Sequence, residues 1–432
     1  MQRIVLVGLS NRGISHYALP ILGLDTSGAA AAESYGDVVE LVGVVEPDLA
    51  RAEAFNSWLV DHGRQPLPRY ASVDDALEHD PAVTGVIVAS IDSTHAEHID
   101  AALRHDLEVI TEKPMVTTTA DAQRIIDAER RSSGRVTVGH NFRYLPGHVQ
   151  LKQMINEGKV GRVVQVLLEY HVDTVHGSSY YVRWHRHREL SGGLTLTKST
   201  HHLDLIGWLV GDEPIWVAAS GGLHFYGGQS PHRPTADQGD PMTRAEMHAR
   251  DPYRQARETR SGHAATTGDV SHESVLGLPY EMYADQADVS VFDDIDALDT
   301  VTAVLTYSQG ASAAYLINFS SPWEGYRIVV NGTHGQLELM SGHREAEPMP
   351  HSNVISVRPL FGPAHDVPVQ AIEGEHGGAD PRLRSDLFTG PSAQSLELGL
   401  VATAREGALA VIAGEALWRA VENGEVVAIT LT

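Results

Sequence analysis

Ile4-Val5-Leu6-Val7-Gly8-Leu9-Ser10-Asn11-Arg12-Gly13 decides how this chain is read. An apolar, β-branched run makes a buried strand, and the glycine-bounded turn after it opens a helix. Gly8 and Gly13 hold the outer positions of G-x-G-x-x-G, while Ser10 stands where the middle glycine would be. Such a turn lets backbone and helix N-terminal amides approach a pyrophosphate. A serine still allows that approach, and its hydroxyl offers a phosphate one more hydrogen bond. Gly8, Ser10, Asn11, Arg12 and Gly13 are therefore the candidate cofactor-binding turn.

Glu46, at the end of the next strand, is the companion acid. A carboxylate there accepts adenosine ribose hydroxyls and repels a 2′-phosphate, which favours NAD and leaves NADP as the alternative. Its distance from Gly13 exceeds the usual ~20 residues, so an insertion is expected at about 24–36. A solvated strand-end acid is the other reading of Glu46.

Working outward, apolar strands at 4–7, 38–45, 83–89, 108–111 and 136–139 alternate with helical patterns at 50–62, 94–105 and 120–132. That alternation predicts a doubly wound parallel sheet. Beyond residue 150 the strands lengthen and alternate polar with apolar: 161–170, 216–223, 299–308, 311–319, 326–331 and 336–340. An antiparallel sheet is expected there. A helix is expected at 197–210, a polar, histidine-rich insertion at about 228–298, and an apolar helix at 402–423 capped by Gly424.

Composition narrows the function classes. The chain has 432 residues, a formal net charge of −24, 24 histidines and no cysteine. The negative charge argues against nucleic acid as a partner. Lack of cysteine removes disulfides, thiolate metal sites and cysteine nucleophiles. No apolar run is long enough to span a bilayer, and the start runs straight into a strand. A cytoplasmic enzyme with no membrane partner is the expectation.

Glu112-Lys113-Pro114 closes the strand at 108–111, where a dinucleotide-binding sheet delivers groups to a nicotinamide. Lys113 can donate a proton to an alkoxide or hold a sugar hydroxyl, and the proline stiffens the turn that aims it. An exposed loop with a solvated ion pair is the plainer reading.

These segments, with Ser90-Ile91-Asp92-Ser93-Thr94-His95, Asn141-Phe142-Arg143-Tyr144, Ser191-Gly192-Gly193, His201-His202-Leu203-Asp204 and the stretch Gly374 to Asp380, resemble the Gfo/Idh/MocA family over nearly the whole chain. The resemblance implies an α/β Rossmann domain at 1–140. It further implies an α+β domain at 141–432 with a large open, mainly antiparallel sheet, whose back often forms the interface of a homo-oligomer. The implied activity is NAD(P)-dependent hydride transfer at a secondary alcohol or ketone of a sugar, cyclitol or glycoside. Two other outcomes stay open: a glycosidase working by transient oxidation and elimination, and a non-catalytic nucleotide- or sugar-binding protein.

The resemblance also implies site residues. Ser90 and His95 would lie beside the cofactor, although the family's usual Thr-Pro-Asn reads Ser90-Ile91-Asp92 here. Glu112 would approach the nicotinamide end, and Lys113 would contact the nicotinamide ribose and the substrate. Pro114 is often cis in the family, and Arg143 would be near cofactor or substrate. Many members carry an Asp four residues before a catalytic His. Aligning His201 to that His puts Thr197 at the Asp position, on the same helical face, with Lys198 beside it. Threonine is no general base, so His201 or Lys198 takes the proton and Lys113 shares it. His202 reads as structural or catalytic, and Asp204 as support for a histidine.

Tyr180-Tyr181-Val182-Arg183-Trp184-His185-Arg186-His187-Arg188 is aromatic and cationic, suited to a sugar face or a carboxylate, with Tyr181, Arg183 and Trp184 as candidate contacts. A polar surface loop is its alternative. No acid–histidine pair at metal spacing accompanies the histidines, so no metal is expected. Trp323-Glu324-Gly325-Tyr326 either borders the pocket or makes an ordinary turn. His376 sits in a loop resembling those that reach the active site. His232, His248, His263 and His272 of the insertion read as solvated.

Overall fold

The computed structural model describes residues 1–236, 242–261, 275–278, 289–343, 353–370, 372 and 375–432. His263, His272 and Gly374 lie outside the described residues, as does the side chain of His376.

Six parallel strands build the first sheet: β1 (Gln2–Val7), β2 (Val39–Val45), β3 (Arg69–Tyr70), β4 (Gly85–Val88), β5 (Glu108–Thr111) and β6 (Val136–Val138). Their order, β6-β5-β4-β1-β2-β3, is the doubly wound one, which binds ligands outside the strand carboxyl ends. Amphipathic helices cover the sheet and explain its apolar strands. The helix Leu49–Asp61 buries Phe55 and Leu59, His95–Arg104 buries Ile99 and Leu103, and Thr119–Arg131 buries Ile125 and Ile126. Asp48 and Thr118 cap the first and last by accepting from Arg51 N and Asp121 N.

The second sheet holds β7 (Val163–Asp173), β8 (Pro214–Gly222), β9 (Thr300–Tyr307), β10 (Ser312–Ser321), β11 (Glu324–Gly332), β12 (Gly335–His343), β13 (Val354–Pro359) and β14 (His365–Pro368). Its neighbours are antiparallel except β7 and β10, which run parallel at the centre. Inward residues such as Val166, Leu168, Tyr170, Val301, Tyr315 and Ile317 are buried, in the alternation expected of a sheet with one face covered. The covering helices are Ser199–Val210 and Ala404–Asn423.

Two short strands come from the far end of the chain. β15 (Ala402–Thr403) pairs antiparallel with β6 at the edge of the first sheet, and β16 (Val427–Ala428) pairs with β8. The helix expected from 402 thus starts at Ala404, because Thr403 and Glu406 form a reciprocal capping box there. Gly424 ends it at φ +68°, the left-handed cap read from the sequence. No described helix is long and apolar enough to cross a membrane.

Candidate active site

The strand carboxyl ends of the first sheet open into a cavity of about 1300 Å³, larger than the ~300–1,000 Å³ of ordinary ligand pockets. Its near wall is the Gly8–Arg12 turn, Glu46 to Asp48, Ser90 to Asp92, Glu112 and Lys113. Its far wall comes from the second domain: Phe142, Tyr170, His176, Tyr180, Arg183, Trp184, Thr197, Lys198, His201 and Glu324 among others. One continuous space therefore joins the dinucleotide-type turn to the Lys113 turn and the His201 helix.

The turn is built for close approach. Gly8 sits at φ +89°, and a Cβ there would lie 2.6 Å from Ser90 Cα; at Gly13 it would lie 2.5 Å from the Gly8 carbonyl. Ser10 Oγ accepts from Gly13 N at 2.9 Å and so caps the helix start. Glu46 lines the cavity, with Oε2 accepting from Leu9 N at 2.7 Å and Oε1 from Asp48 N at 2.9 Å. Each carboxylate oxygen keeps a lone pair for a ribose hydroxyl. A dinucleotide fits these residues: glycines where backbone must close in, an acid at the end of β2, and a helix start facing the cavity.

Arg12 and Glu112 are committed to each other. Arg12 Nε donates to Glu112 Oε1 at 2.9 Å, and its Nη1 to Asp380 Oδ2 at 2.9 Å. Tyr17 Oη donates to the same Glu112 oxygen at 2.8 Å. Burial pushes the Glu112 carboxyl up, but Arg12, His16 and Lys113 together outweigh it and hold the group down at about 2. Both residues line the cavity, yet their charges are matched within the protein, so Arg12 braces the turn. Asn11 also lines the cavity, and its Oδ1 accepts from Val275 N of the insertion at 3.0 Å. The Lys113–Pro114 peptide is cis.

Lys113 Nζ donates to the Thr197 carbonyl at 3.3 Å, carrying β5 chemistry to the second domain. Lys198 Nζ lies over the Tyr170 and Phe142 rings, 5.1 and 5.9 Å from their centroids. His201 stacks on Phe142 at 4.7 Å, and its buried Nδ1 has no hydrogen-bond partner among the described residues. Burial, reinforced by Lys113, keeps the His201 imidazole far below its ordinary range and therefore neutral. His176 Nδ1 meets Glu324 Oε1 at 2.9 Å, and Arg183 lies over the Tyr180 ring at 5.7 Å. Trp184 stacks on His185 at 3.8 Å.

Several expected contacts fall elsewhere. Arg143 is paired with Asp204 and Glu406 behind the His201 helix, lining a separate cleft and not the main cavity. His95 is buried, bonding the Pro114 carbonyl at 2.9 Å and the Ser90 carbonyl at 3.1 Å; it holds two cavity loops in place without lining the cavity. Tyr181 turns inward, with its hydroxyl on the Leu298 carbonyl at 2.8 Å, so Tyr180 is the aromatic that reaches the cavity. His202 is structural, bonded to Tyr315 Oη at 2.8 Å inside the sheet–helix core. Thr197 is not on the His201 helix: it ends a separate turn, Leu194–Thr197, and the chain breaks at Lys198 before Ser199–Val210 begins.

Sequence reasoning gave no role to Asp92, His176 or the ring floor of Phe142 and Tyr170, while Glu324 and Tyr326, from the stretch expected either to border the pocket or to make a turn, line the cavity. Asp92 left a signal, a carboxylate where the resemblance calls for Asn, but it registered only as an altered turn. The other residues meet only in three dimensions.

Comparison with known proteins accords with this arrangement. The profile described as "Oxidoreductase family, NAD-binding Rossmann fold" matches residues 2–140, and that described as "Oxidoreductase family, C-terminal alpha/beta domain" matches residues 152–429. The chain belongs to the Gfo/Idh/MocA oxidoreductase family. This Gfo/Idh/MocA chain is 36% identical over 433 residues to the oxidoreductase YteT of Bacillus subtilis (strain 168), covering 98% of this chain and 96% of that one. Inositol 2-dehydrogenase of Salmonella typhimurium is 30% identical over 176 residues, 40% of this chain and 48% of that one. Levoglucosan dehydrogenase, solved with NADH and L-sorbose, has the same fold at a TM-score of 0.63 and 17% identity, covering 100% of this chain and 99% of that one. The aldose-aldose oxidoreductase of Caulobacter crescentus, solved with glycerol, gives 0.60 at 17% identity over 99% of each chain.

Proposed function

We propose that this oxidoreductase uses NAD to oxidise a secondary alcohol of a sugar, cyclitol or glycoside, or to reduce the matching ketone. The observation that carries the reading is the single cavity joining the Gly8–Arg12 turn to Lys113, Lys198 and His201. When bound, nicotinamide supplies the carbon that takes or returns the hydride. Lys113 holds the reacting oxygen, with its ammonium balancing negative charge as the hydroxyl gives up its proton. His201, neutral and with Nδ1 lacking a protein partner among the described residues, accepts a substrate hydroxyl. Lys198 over its two rings, Arg183 and Trp184 hold the remaining hydroxyls and a sugar face. The names of the inositol and levoglucosan dehydrogenases support a polyhydroxylated substrate.

Glu46 at the end of β2 supports NAD over NADP. Ile215 and Val304, exposed on the outer face of the second sheet, support homo-oligomer formation through that face.

The test is a screen of sugars, inositols and glycosides with NAD and NADP, followed by NADH absorbance. Turnover of a polyol is the expected result. Release of an aglycone with no net NADH would favour oxidation–elimination instead, and silence across the panel would sink the reading.

A further inference from the structure

Position 197 is where the family resemblance calls for a carboxylate, and it is threonine. The structure returns a carboxylate to the same spot from another element. Asp92, on the loop after β4, lines the cavity at 7% exposure, and its Oδ2 lies 3.1 Å from Thr197 Oγ1. Lys113 Nζ bonds the carbonyl of that same threonine at 3.3 Å. Resting on the oxidoreductase reading above, we propose that Asp92 is the proton-exchanging carboxyl of this site, acting through Lys113.

Thr197 suits this role for a reason of hydrogen-bond count. Its hydroxyl lies 3.1 Å from Asp92 Oδ2 and 3.1 Å from the Ser191 carbonyl, but it has one proton to give. When Asp92 is ionised, the threonine donates to it. When Asp92 carries a proton, the carboxyl donates to Thr197, whose own proton goes to Ser191. Either protonation state therefore keeps its partner.

The groups facing Asp92 poise it near neutrality. Burial pushes its carboxyl up, Lys113 pulls it back, and Glu112 adds to the rise; together they leave it at about 8. Tyr180, from the helix Thr174–Tyr181, feels the Asp92 charge. The turn Arg188–Ser191 also packs on this loop. Its Arg188 lies over the Trp418 ring at 4.5 Å, and its Glu189 is exposed. In alcohol oxidation a bound, oxidised nicotinamide would be the acceptor for the hydride and its electron pair. The hydroxyl proton would pass to Lys113 as the ammonium gives one of its own, across a cavity water, to the Asp92 carboxylate, which Lys113 does not touch directly. Exchange with water then empties the carboxyl. Ketone reduction runs the same transfers backwards.

The experiment compares the full-length wild type with Asp92→Asn and Thr197→Val, using the polyol and cofactor found in the screen. Asp92→Asn should lower kcat by about 100-fold or more, remove the limb of the kcat–pH profile near pH 8, and leave NADH affinity, read by fluorescence, within about twofold. Thr197→Val keeps the carboxyl but removes the donor to its ionised form, so its limb should move to higher pH. An Asp92→Asn enzyme with near-normal kcat and an intact limb overturns the role of Asp92. So does a Thr197→Val limb that stays in place. A wild type inert toward every polyol overturns the oxidoreductase reading and, with it, this role.

Discussion

Arg143 and Asp204 form a two-pronged ion pair in which both side chains are 1% exposed: Nη2 lies 2.6 Å from Oδ1, and Nε 2.8 Å from Oδ2. Burial disfavours the Asp204 charge, yet the guanidinium holds the carboxyl below its ordinary range. The pair ties the segment Asn141–Tyr144, at the domain junction, to the His201 helix. Removing one partner leaves the other charged in a dry interior. Arg143→Met should therefore cost about 3–5 kcal/mol in urea unfolding. Because Arg143 lies behind the His201 helix and outside the main cavity, folded variant protein should keep its NADH affinity within about threefold of wild type. A small stability loss with a large affinity loss would return Arg143 to the cofactor site.

Lys113 is the one ammonium linking β5 to the Thr197 turn among the described contacts. Lys113→Met should cut kcat by about 100-fold or more while NAD still binds, since the Gly8–Arg12 turn is untouched. Stopped-flow hydride transfer alongside cofactor titration separates the two effects. A variant with near-normal rate removes Lys113 from the chemistry.

Glu46 has two duties, facing the cavity and accepting from Leu9 N. Glu46→Ser should weaken NAD binding on the order of tenfold and narrow its advantage over NADP. The Leu9 amide should also exchange faster with solvent once its acceptor is gone. Unchanged selectivity would show that the carboxylate serves the turn alone.

Acid should unfold this protein early. Burial holds His16, His185, His201 and His202 well below 6.5, so each is neutral when folded and protonates first in the unfolded chain. Below pH 6.5 the unfolded state then binds more protons, and stability falls by up to about 1.4 kcal/mol per pH unit for each histidine. Asp92, Glu46 and Asp299, whose carboxyls burial raises, work the other way, while His95, His98 and His140, also lowered by burial, add to the histidine side. Thermal melts should drop steeply from pH 6.5 to 5.5, and His202→Gln should flatten that slope. A flat profile would show that these rings reach water.

Local chemistry made the first sheet readable: β1, β2, β4 and β5 are apolar runs ended by turn residues, and the structure places all of them within a few positions of expectation. The glycine turn, Glu46, Ser90, Lys113, Lys198 and His201 were likewise visible, because strand ends and one helix carry them to the cavity. Tyr181 and Arg143 were misassigned for a common reason. Sequence shows that an aromatic or a cation is present, but one residue of rotation along a turn decides whether it meets solvent or core. The β15 edge strand was invisible, since two residues carry no period. Asp92 shows a further limit: its partner Thr197 is far away in sequence, and only folding brings the two within hydrogen-bonding distance.

The antiparallel contact between Ala402–Thr403 and Val138–Thr137 has a practical consequence. A gene fragment cut at residue 140 would leave β6 with open backbone donors and acceptors, a template for intermolecular pairing. It would also lack Asp380, which holds Arg12 over Glu112. On a ribosome the first sheet therefore waits for the last tenth of the chain before its edge is closed. Fragment expression, circular permutation and split-reporter designs on this scaffold should keep the 379–403 segment in the same piece as the nucleotide turn.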